Sequence, residues 1–563
     1  MGRCGKCSVI IEQGIVPPPT PLERQKLSEK EIASGHRLAC QTRVQDNLKV
    51  YLPPASILTG WQFDLVCAEP GAAVDPAVQD IVVSLHAPGF YNPPSCREQL
   101  AAAIKNACGV SVDRADEAVL RDLPALLSES SGCVRASIRD GEIISVRPSG
   151  QGPLGAAVDL GTTRIALYLI DMLTGMPCAI DGIINPQITF GEDVMSRISF
   201  AMQHGAAELS KAVIEGLNQL IRRMCPAPHR IVEMVIAGNT AMHHLMLDLP
   251  VKQLGIAPYV PALCAPLDVK ARDLGFDTAP GAYVHLVPNV AGFIGGDHVA
   301  MILATGIHKT SRTVLGIDIG TNTEIVLGHA GKLFSTSCAS GPAFEGGHIS
   351  CGMQAAAGAI EKVTIRDEVA AFETIGGMPP IGLCGSGILD AIAELFRCGI
   401  ITKQGRMLDA PGMRALGNKK EFVLVPLEKS GAGKDITITQ QDIHEVQLAK
   451  AAIRTGIEAL IAEAAISIDD VKEIILTGEF GARINPASGI ALGMFPPFQL
   501  DTFRHVGNAA GLGAMRILIS KFHRALAAET AQRIQYLELM TCPGFHKIFA
   551  NALYIPAKDS KRG

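Results

Sequence analysis

The sequence has no excess of charge of either sign: 50 Lys and Arg stand against 55 Asp and Glu, for a formal net charge of −5. That balance excludes a protein that grips nucleic acid through a strongly basic surface. Long apolar runs are also missing. The uncharged run 484–500 holds 17 residues and carries Pro486, Pro496 and Pro497, whereas a spanning helix needs about 20 mostly apolar residues, so no membrane span is expected. Met1 leads directly into Gly2-Arg3-Cys4-Gly5-Lys6-Cys7 with no apolar segment behind it, and no signal peptide is expected. The composition is 48% hydrophobic and 19% charged, which excludes general disorder and fits soluble domains with sizeable cores. The 563 residues, at roughly 150 per domain, make three or four of them. Fifteen cysteines are scattered mostly as singletons in apolar segments such as Leu383-Cys384-Gly385. They read as small reduced core residues of a cytoplasmic protein. The exceptions stand at the front.

Residues 1–54 are rich in turn residues and close with a short strand pattern stopped by Pro53 and Pro54, one small domain. A linker, 55–74, leads to a second unit, 75–148. It has an apolar stretch at 80–85, helical patterns near 96–107 and 115–128, and a closing hairpin around Asp140-Gly141; none of it carries recognisable chemistry. From Gly155 onward, β-runs ending in Asp-x-Gly-Thr alternate with helical periods, the α/β signature. An internal repeat lies here. Ala157-Val158-Asp159-Leu160-Gly161-Thr162-Thr163 recurs as Gly316-Ile317-Asp318-Ile319-Gly320-Thr321-Asn322-Thr323, which predicts a duplicated α/β fold with a cleft between its copies. The halves are placed at 152–310 and 311–535, and 536–563 is taken as a C-terminal tail.

A strand, one Asp, and Gly-Thr in a tight turn before a second strand make a hairpin whose backbone N–H groups can hold phosphate oxygens. Glycine permits close approach, and the hydroxyls add donors. The Asp carboxylate repels phosphate, so its task is to hold Mg²⁺ through water or to orient the attacking water. One such motif also describes an ordinary hairpin turn; two in tandem say more. Glu473-Ile474-Ile475-Leu476-Thr477-Gly478-Glu479-Phe480-Gly481 then reads as a buried strand ending in a glycine turn, an arrangement that lets adenine lie against backbone. In this order the three motifs resemble the acetate/sugar kinase, heat-shock chaperone and actin superfamily, with phosphate-1 at 159–163, phosphate-2 at 318–324 and adenosine at 477–481. The competing reading is a glycine-turned core without nucleotide.

Three further stretches narrow the family: Asn185-Pro186-Gln187-Ile188-Thr189-Phe190-Gly191-Glu192-Asp193-Val194-Met195-Ser196-Arg197-Ile198, Gly238-Asn239-Thr240-Ala241-Met242-His243-His244, and 440–453. They resemble the ATP-dependent reductive activators of corrinoid proteins. His243 and His244 invite a metal reading, but adjacent helical residues face different ways, which favours packing or polar lining. Gly385-Ser386-Gly387 lacks the strand-to-helix context of a nucleophile elbow and reads as a glycine turn opening a helix at 388–397.

At the front, Cys4-x₂-Cys7 is followed after 32 residues by Cys40, which closes the stretch Arg37-Leu38-Ala39-Cys40. This resembles the ligand spacing of a plant- or adrenal-type ferredoxin, in which four thiolates hold a [2Fe–2S] cluster. Thiolates suit the soft irons, and loop N–H groups aimed at sulfur tune the potential; a lone C-x₂-C suits zinc equally well. In the ferredoxin-linked activators the loop reads Cys-Gly-Gly-x-Gly-x-Cys-Gly-x-Cys, and Met1–Cys7 matches its second part. The expected front domain is a truncated β-grasp [2Fe–2S] domain: either its first cysteine lies upstream of Met1, the reading favoured by the intact Arg37-Leu38-Ala39-Cys40 stretch, or the site is a broken one with three ligands. Since three thiolates do not complete a four-thiolate site, the 563-residue chain is expected to purify with little or no stable cluster. Iron and sulfide near two per chain after desalting would contradict this.

The resemblance implies a duplicated actin-like ATPase fold preceded by the ferredoxin-like domain and a small α+β middle domain. The function it implies is passing a low-potential electron from a [2Fe–2S] cluster to an inactive Co(II) corrinoid protein to regenerate Co(I). Asp159 and Asp318 would be catalytic. Gly161, Thr162, Thr163, Gly238, Asn239, Gly320, Thr321, Asn322, Thr323, Gly478 and Gly481 would seat ATP and Mg²⁺, and Cys4, Cys7 and Cys40 would be the cluster ligands. The implied partners are a corrinoid protein of a methyltransferase system and a low-potential electron donor, with a homodimer as one option. A small-molecule kinase on the same fold has no use for the front cysteines; a chaperone-like or actin-like protein would need a peptide-binding module or a polymer surface, and no long β-rich stretch is expected after residue 530. An activator of 2-hydroxyacyl-CoA dehydratases resembles a short kinase-like chain without a ferredoxin domain.

Overall fold

The computed structural model describes residues 8–51, 74–85, 93–130, 132–366, 369–416 and 419–556. Its contacts divide the chain into two units, 63–308 with 508–534, and 1–62 with 309–507 and 535–563.

In the first unit the middle domain is a four-stranded sheet in the order Gln79–Ser84, Cys133–Arg139, Glu142–Pro148, Arg114–Ala115. The helices Cys96–Cys108 and Glu117–Glu129 pack on it over Leu100, Ile104, Val119 and Leu123. Ser95 opens the first helix with a reciprocal capping box to Glu98, and Gly109 closes it in the left-handed conformation that glycine tolerates.

The larger sheet of this unit runs Pro177–Ile184, Arg164–Asp171, Leu154–Leu160, Ile231–Gly238, Tyr283–Leu286, Leu267–Lys270. Its first three strands form an antiparallel meander, and Ile231–Gly238 lies parallel beside Leu154–Leu160. Both parallel strands are almost wholly buried because helices cover each side, and Glu233 and Asp159 are their only charged residues.

In the second unit the sheet runs Phe503–His505, Glu473–Thr477, Val314–Ile319, Thr323–His329, Lys332–Cys338, with Ile534–Tyr536 at its edge. With the edge strands Leu267–Lys270 and Ile534–Tyr536 set aside, both sheets read 3-2-1-4-5 when numbered within each copy: a meander, then two parallel strands beside its first strand. The repeated motif is therefore a repeated fold. The front residues form an antiparallel sheet in the order His36–Leu38, Ser8–Gln13, Lys49–Tyr51.

Two boundaries differ from the expected ones. Residues 508–534, placed above in the half 311–535, pack in the first unit. The helix Ala509–Ile519 lies against Gly296–Thr305 so closely that a Cβ on Gly513 would stand 2.0 Å from the Ala300 carbonyl oxygen. Its Ala-Ala-Gly-Leu-Gly-Ala sequence has the small residues such an approach demands, but nothing local names the partner helix. The expected tail is also docked through residue 556: helix Phe545–Ala552 packs on the long helix Gln440–Glu463, and the buried Lys450 ammonium donates to the carbonyls of Ala552 (2.5 Å) and Tyr554.

Candidate functional site

Each unit presents its Asp-Gly-Thr turn where the first strand meets the end of its parallel neighbour. In the first unit Asp159 pairs in register with Ala237, and Leu160 with Gly238, so Asp159 and the Gly238-Asn239 turn share one end of the sheet. A Cβ on Gly238 would come within 2.9 Å of the Leu160 carbonyl oxygen, which is why the strands meet there over glycine. Asn239 is almost wholly buried and caps the helix Thr240–Met246 by accepting the Ala241 N–H.

The turn 161–163 is tied down from behind. Asn185 Nδ2 donates to the Gly161 carbonyl (2.8 Å), the Asn185 N–H to the Thr163 carbonyl (2.9 Å), and Arg197 Nη2 to the Thr162 carbonyl (2.6 Å). With all three carbonyls engaged, the peptide planes of the turn are set, the condition for a preorganised anion nest. Asn185 and Arg197 belong to the stretch that marks the family resemblance; its local task is to hold this loop. Asp159 Oδ2 accepts from Asn508 Nδ2 at 2.8 Å, and Asn508 Oδ1 in turn accepts the Gly511 N–H at the start of its helix. Asn508 lies 349 residues from Asp159 and was not expected from the sequence.

In the second unit Asp318 pairs with Thr477 in parallel register, so the phosphate-2 and adenosine motifs adjoin. Gly478 has φ 84°, and a Cβ there would lie 2.6 Å from Asp318 Oδ1 and 2.7 Å from the Ile319 carbonyl oxygen. Only glycine fits. Burial raises the Asp318 carboxyl to about 6, with the Thr477 side chain pulling weakly the other way. No Lys, Arg or His among the described residues forms an ion pair with Asp318, a carboxylate that suits a hard divalent cation.

Some expected nucleotide contacts are spent elsewhere. Thr321 Oγ1 donates to Glu345 (2.6 Å), Thr323 is fully buried with its hydroxyl on Ser340 (2.8 Å), and Ser340 Oγ also reaches the Gly320 and Thr321 carbonyls. The Thr323 side chain shapes the turn. A Cβ on Gly320 would meet only the Asn322 carbonyl oxygen, at 3.3 Å, and one on Gly481 would have only ordinary contacts. The Gly481 carbonyl is near His505 Nδ1 (2.9 Å). His244 lies between the Thr240 carbonyl and the Ala262 N–H, and burial lowers both histidines, His243 to about 3. They are neutral packing residues. Gly385-Ser386-Gly387, expected as a turn ahead of a helix at 388–397, is instead the first turn of the helix Gly385–Arg397, against the stacked rings of Phe344 and Phe480.

At the front, Cys4 and Cys7 lie outside the described residues. Cys40 is partly buried in a turn where the N–H groups of Gln41 and Thr42 both donate to the Leu38 carbonyl. The approach to that turn is organised by Glu23, which is fully buried. Its carboxylate takes Arg37 Nε and Nη2 (both 2.9 Å) and the Leu38 N–H (3.0 Å). Burial alone would raise its pKa, but Arg37 and the Thr20 and Leu38 N–H groups hold it at about 2. Glu23→Ala strands the Arg37 charge and is expected to cost the front domain about 3–5 kcal/mol. In the wild type this contribution is complete above about pH 4.5 and is lost as pH falls toward 2. Melting followed by near-ultraviolet circular dichroism between pH 2 and 7 tests both statements.

Two copies of one 3-2-1-4-5 sheet, each carrying an Asp-Gly-Thr turn at the end of its central strands, define the actin-like ATPase fold class. Residues 312–562 match the family described as "C-terminal domain of RACo the ASKHA domain", 154–310 the "RACo middle region", and 1–45 the "2Fe-2S iron-sulfur cluster binding domain". The "Corrinoid activation enzyme RamQ" of Eubacterium limosum is 33% identical, covering 97% of this chain and 91% of its own. A "[Co(II) methylated amine-specific corrinoid protein] reductase" of Methanosarcina barkeri is 24% identical over 70% of this chain and 76% of its own. The solved structure described as "Reductive activator for corrinoid,iron-sulfur protein" superposes with a TM-score of 0.80 at 33% identity, covering 99% of this chain and 92% of that one. The chain belongs to the family of corrinoid activation enzymes.

Proposed function

We propose that this protein is an ATP-dependent reductive activator that delivers one low-potential electron to a Co(II) corrinoid protein, regenerating Co(I). The observation that carries the reading is the joining, in one chain of this family, of a cluster-binding domain to a duplicated ATPase fold. When bound, a [2Fe–2S] cluster supplies a one-electron carrier; Cys4, Cys7 and Cys40 are the thiolates this chain offers it. A separate low-potential donor reduces it.

The transfer is uphill, so nucleotide must change the acceptor's state. In this reading the preset 161–163 turn and the 320–322 turn bind phosphate oxygens, Asp159 and Asp318 hold Mg²⁺ through water or orient the attacking water, and Gly478 lets adenosine approach the backbone. Hydrolysis consumes one water and leaves ADP and phosphate. A partner that binds one nucleotide state better than the other converts this cycle into work on itself; equal affinity for both states would shift nothing. A reducing cytoplasmic setting suits such chemistry, and no helix among the described residues is long and apolar enough to cross a membrane. The test is whether Co(I) formation depends on ATP.

The glycine at 478 offers a local check. Gly478→Ala sets a methyl group against Asp318 Oδ1 in a left-handed backbone, at an expected cost of about 1–3 kcal/mol. Mg-ATP affinity should fall by an order of magnitude or more in calorimetry; Gly481→Ala, which meets no close atom, should be much milder.

A further inference from the structure

Arg197 is fully buried, yet all its acceptors are neutral. Nη2 donates to the Thr162 carbonyl, Nε to the Gly191 carbonyl (3.0 Å), and Nη1 reaches Gln187 Oε1 (3.4 Å) and Met242 Sδ (3.2 Å). Asp193, one turn earlier on the same helix, spends its carboxylate on the N–H and hydroxyl of Ser196. Other buried arginines of this protein have carboxylate partners: Arg37 has Glu23, Arg139 has Asp268, and Arg147 has Asp80. A buried charge is normally paired, because desolvation of a lone ion is among the largest penalties in a fold. Burial lowers the Arg197 guanidinium to about 10, with the Asp193 carboxylate pulling the other way, so the group is cationic at neutral pH. A cation that hydrogen-bonds only to neutral groups, with the Asp193 carboxylate nearby but not paired to it, therefore sits directly behind the turn that the sequence marks for phosphate.

We infer that Arg197 is a positioning residue for the nucleotide's phosphates, fixing the 161–163 turn through the Thr162 carbonyl and supplying a buried positive charge that the polyphosphate neutralises. The inference rests on the nucleotide reading above and adds to it the source of charge selectivity. A cation held in a low-dielectric interior acts on an anion across the turn with little screening, so its contribution grows with the number of phosphate charges. Asn185, which ties the same turn through a neutral amide, serves as the comparison.

The experiment measures binding of Mg-ATP, Mg-ADP and AMP to the full chain by calorimetry, with melting temperatures in parallel. Arg197→Met should weaken ATP by about 30-fold or more, ADP less and AMP least, collapsing the ATP-to-AMP preference. Arg197→Lys, which keeps the charge and loses the planar fork, should lose affinity more evenly and keep that preference within about threefold. Asn185→Ala should weaken all three nucleotides alike. Normal wild-type binding with an unchanged ATP-to-AMP ratio in Arg197→Met overturns this inference alone. Should Arg197→Met not fold, a collapsed ratio in Arg197→Lys overturns it instead. Absence of Mg-ATP binding by the wild type overturns the nucleotide reading and this inference with it.

Discussion

Replacing Asp318 by asparagine will abolish ATP hydrolysis and at the same time raise the melting temperature of the nucleotide-free protein. Both effects come from one carboxylate. Its pKa moves from the ordinary 3.8 to about 6 because burial penalises the charged form, and the described residues provide no cationic partner. A carboxyl whose folded pKa lies above its unfolded value burdens the fold in its ionised state. The burden is absent below about pH 3.8, grows as pH rises, and is complete above about pH 6. The shift sets an upper bound of about 3 kcal/mol on the stability that asparagine recovers. In the role proposed for Asp318, its loss leaves the cation and the attacking water without a holder, and kcat should fall by about a thousandfold or more. Thermal melts from pH 4 to 8 should show the wild type and Asp318→Asn diverging as pH rises. A variant that hydrolyses ATP normally would remove Asp318 from the chemistry, and a variant no more stable at pH 8 than the wild type would remove the unpaired-carboxylate argument.

Co(I) formation on a corrinoid protein, followed by its absorbance under anaerobic conditions, will require ATP in addition to a chemical reductant and cluster-loaded protein. The electron alone is insufficient when the Co(II)/Co(I) couple lies below the donor couple. Nucleotide must then supply a difference in free energy between two states of the complex, and moving an equilibrium from 1:99 to 99:1 takes about 5.5 kcal/mol. By linkage, the corrinoid partner should alter nucleotide affinity by the same factor that nucleotide alters partner affinity. Turnover is a separate kinetic readout: in an ATPase that works on its partner, ATP consumption should rise when the Co(II) protein is added. Equal Co(I) yields with and without ATP would reject ATP-driven activation, whereas ATP consumption stimulated by a small alcohol or carboxylate would move the assignment to a kinase.

The amino-acid sequence by itself determined the motif-bearing parts of this protein. The strand-Asp-Gly-Thr turns at 159–163 and 318–323, the strand and glycine turn at 473–478, and the helix opened by Gly385 follow from period, turn chemistry and glycine placement within a dozen residues. Those signals are local, so they survive without the fold. Only the tertiary structure decided which groups complete each site. Asn508 reaches Asp159 because a helix of small residues returns across the chain to the first sheet. Gly478 is confined by Asp318 because two strands far apart in sequence run parallel in register. Thr321 and Thr323, which look like phosphate donors in one dimension, have hydroxyls engaged by Glu345 and Ser340. Glu23 and Arg197 are ordinary charged residues of short helices until packing removes their water; one is then ion-paired, and the other hydrogen-bonds only to neutral groups. Desolvation and long-range register are properties of the assembled chain, and no spacing rule encodes them.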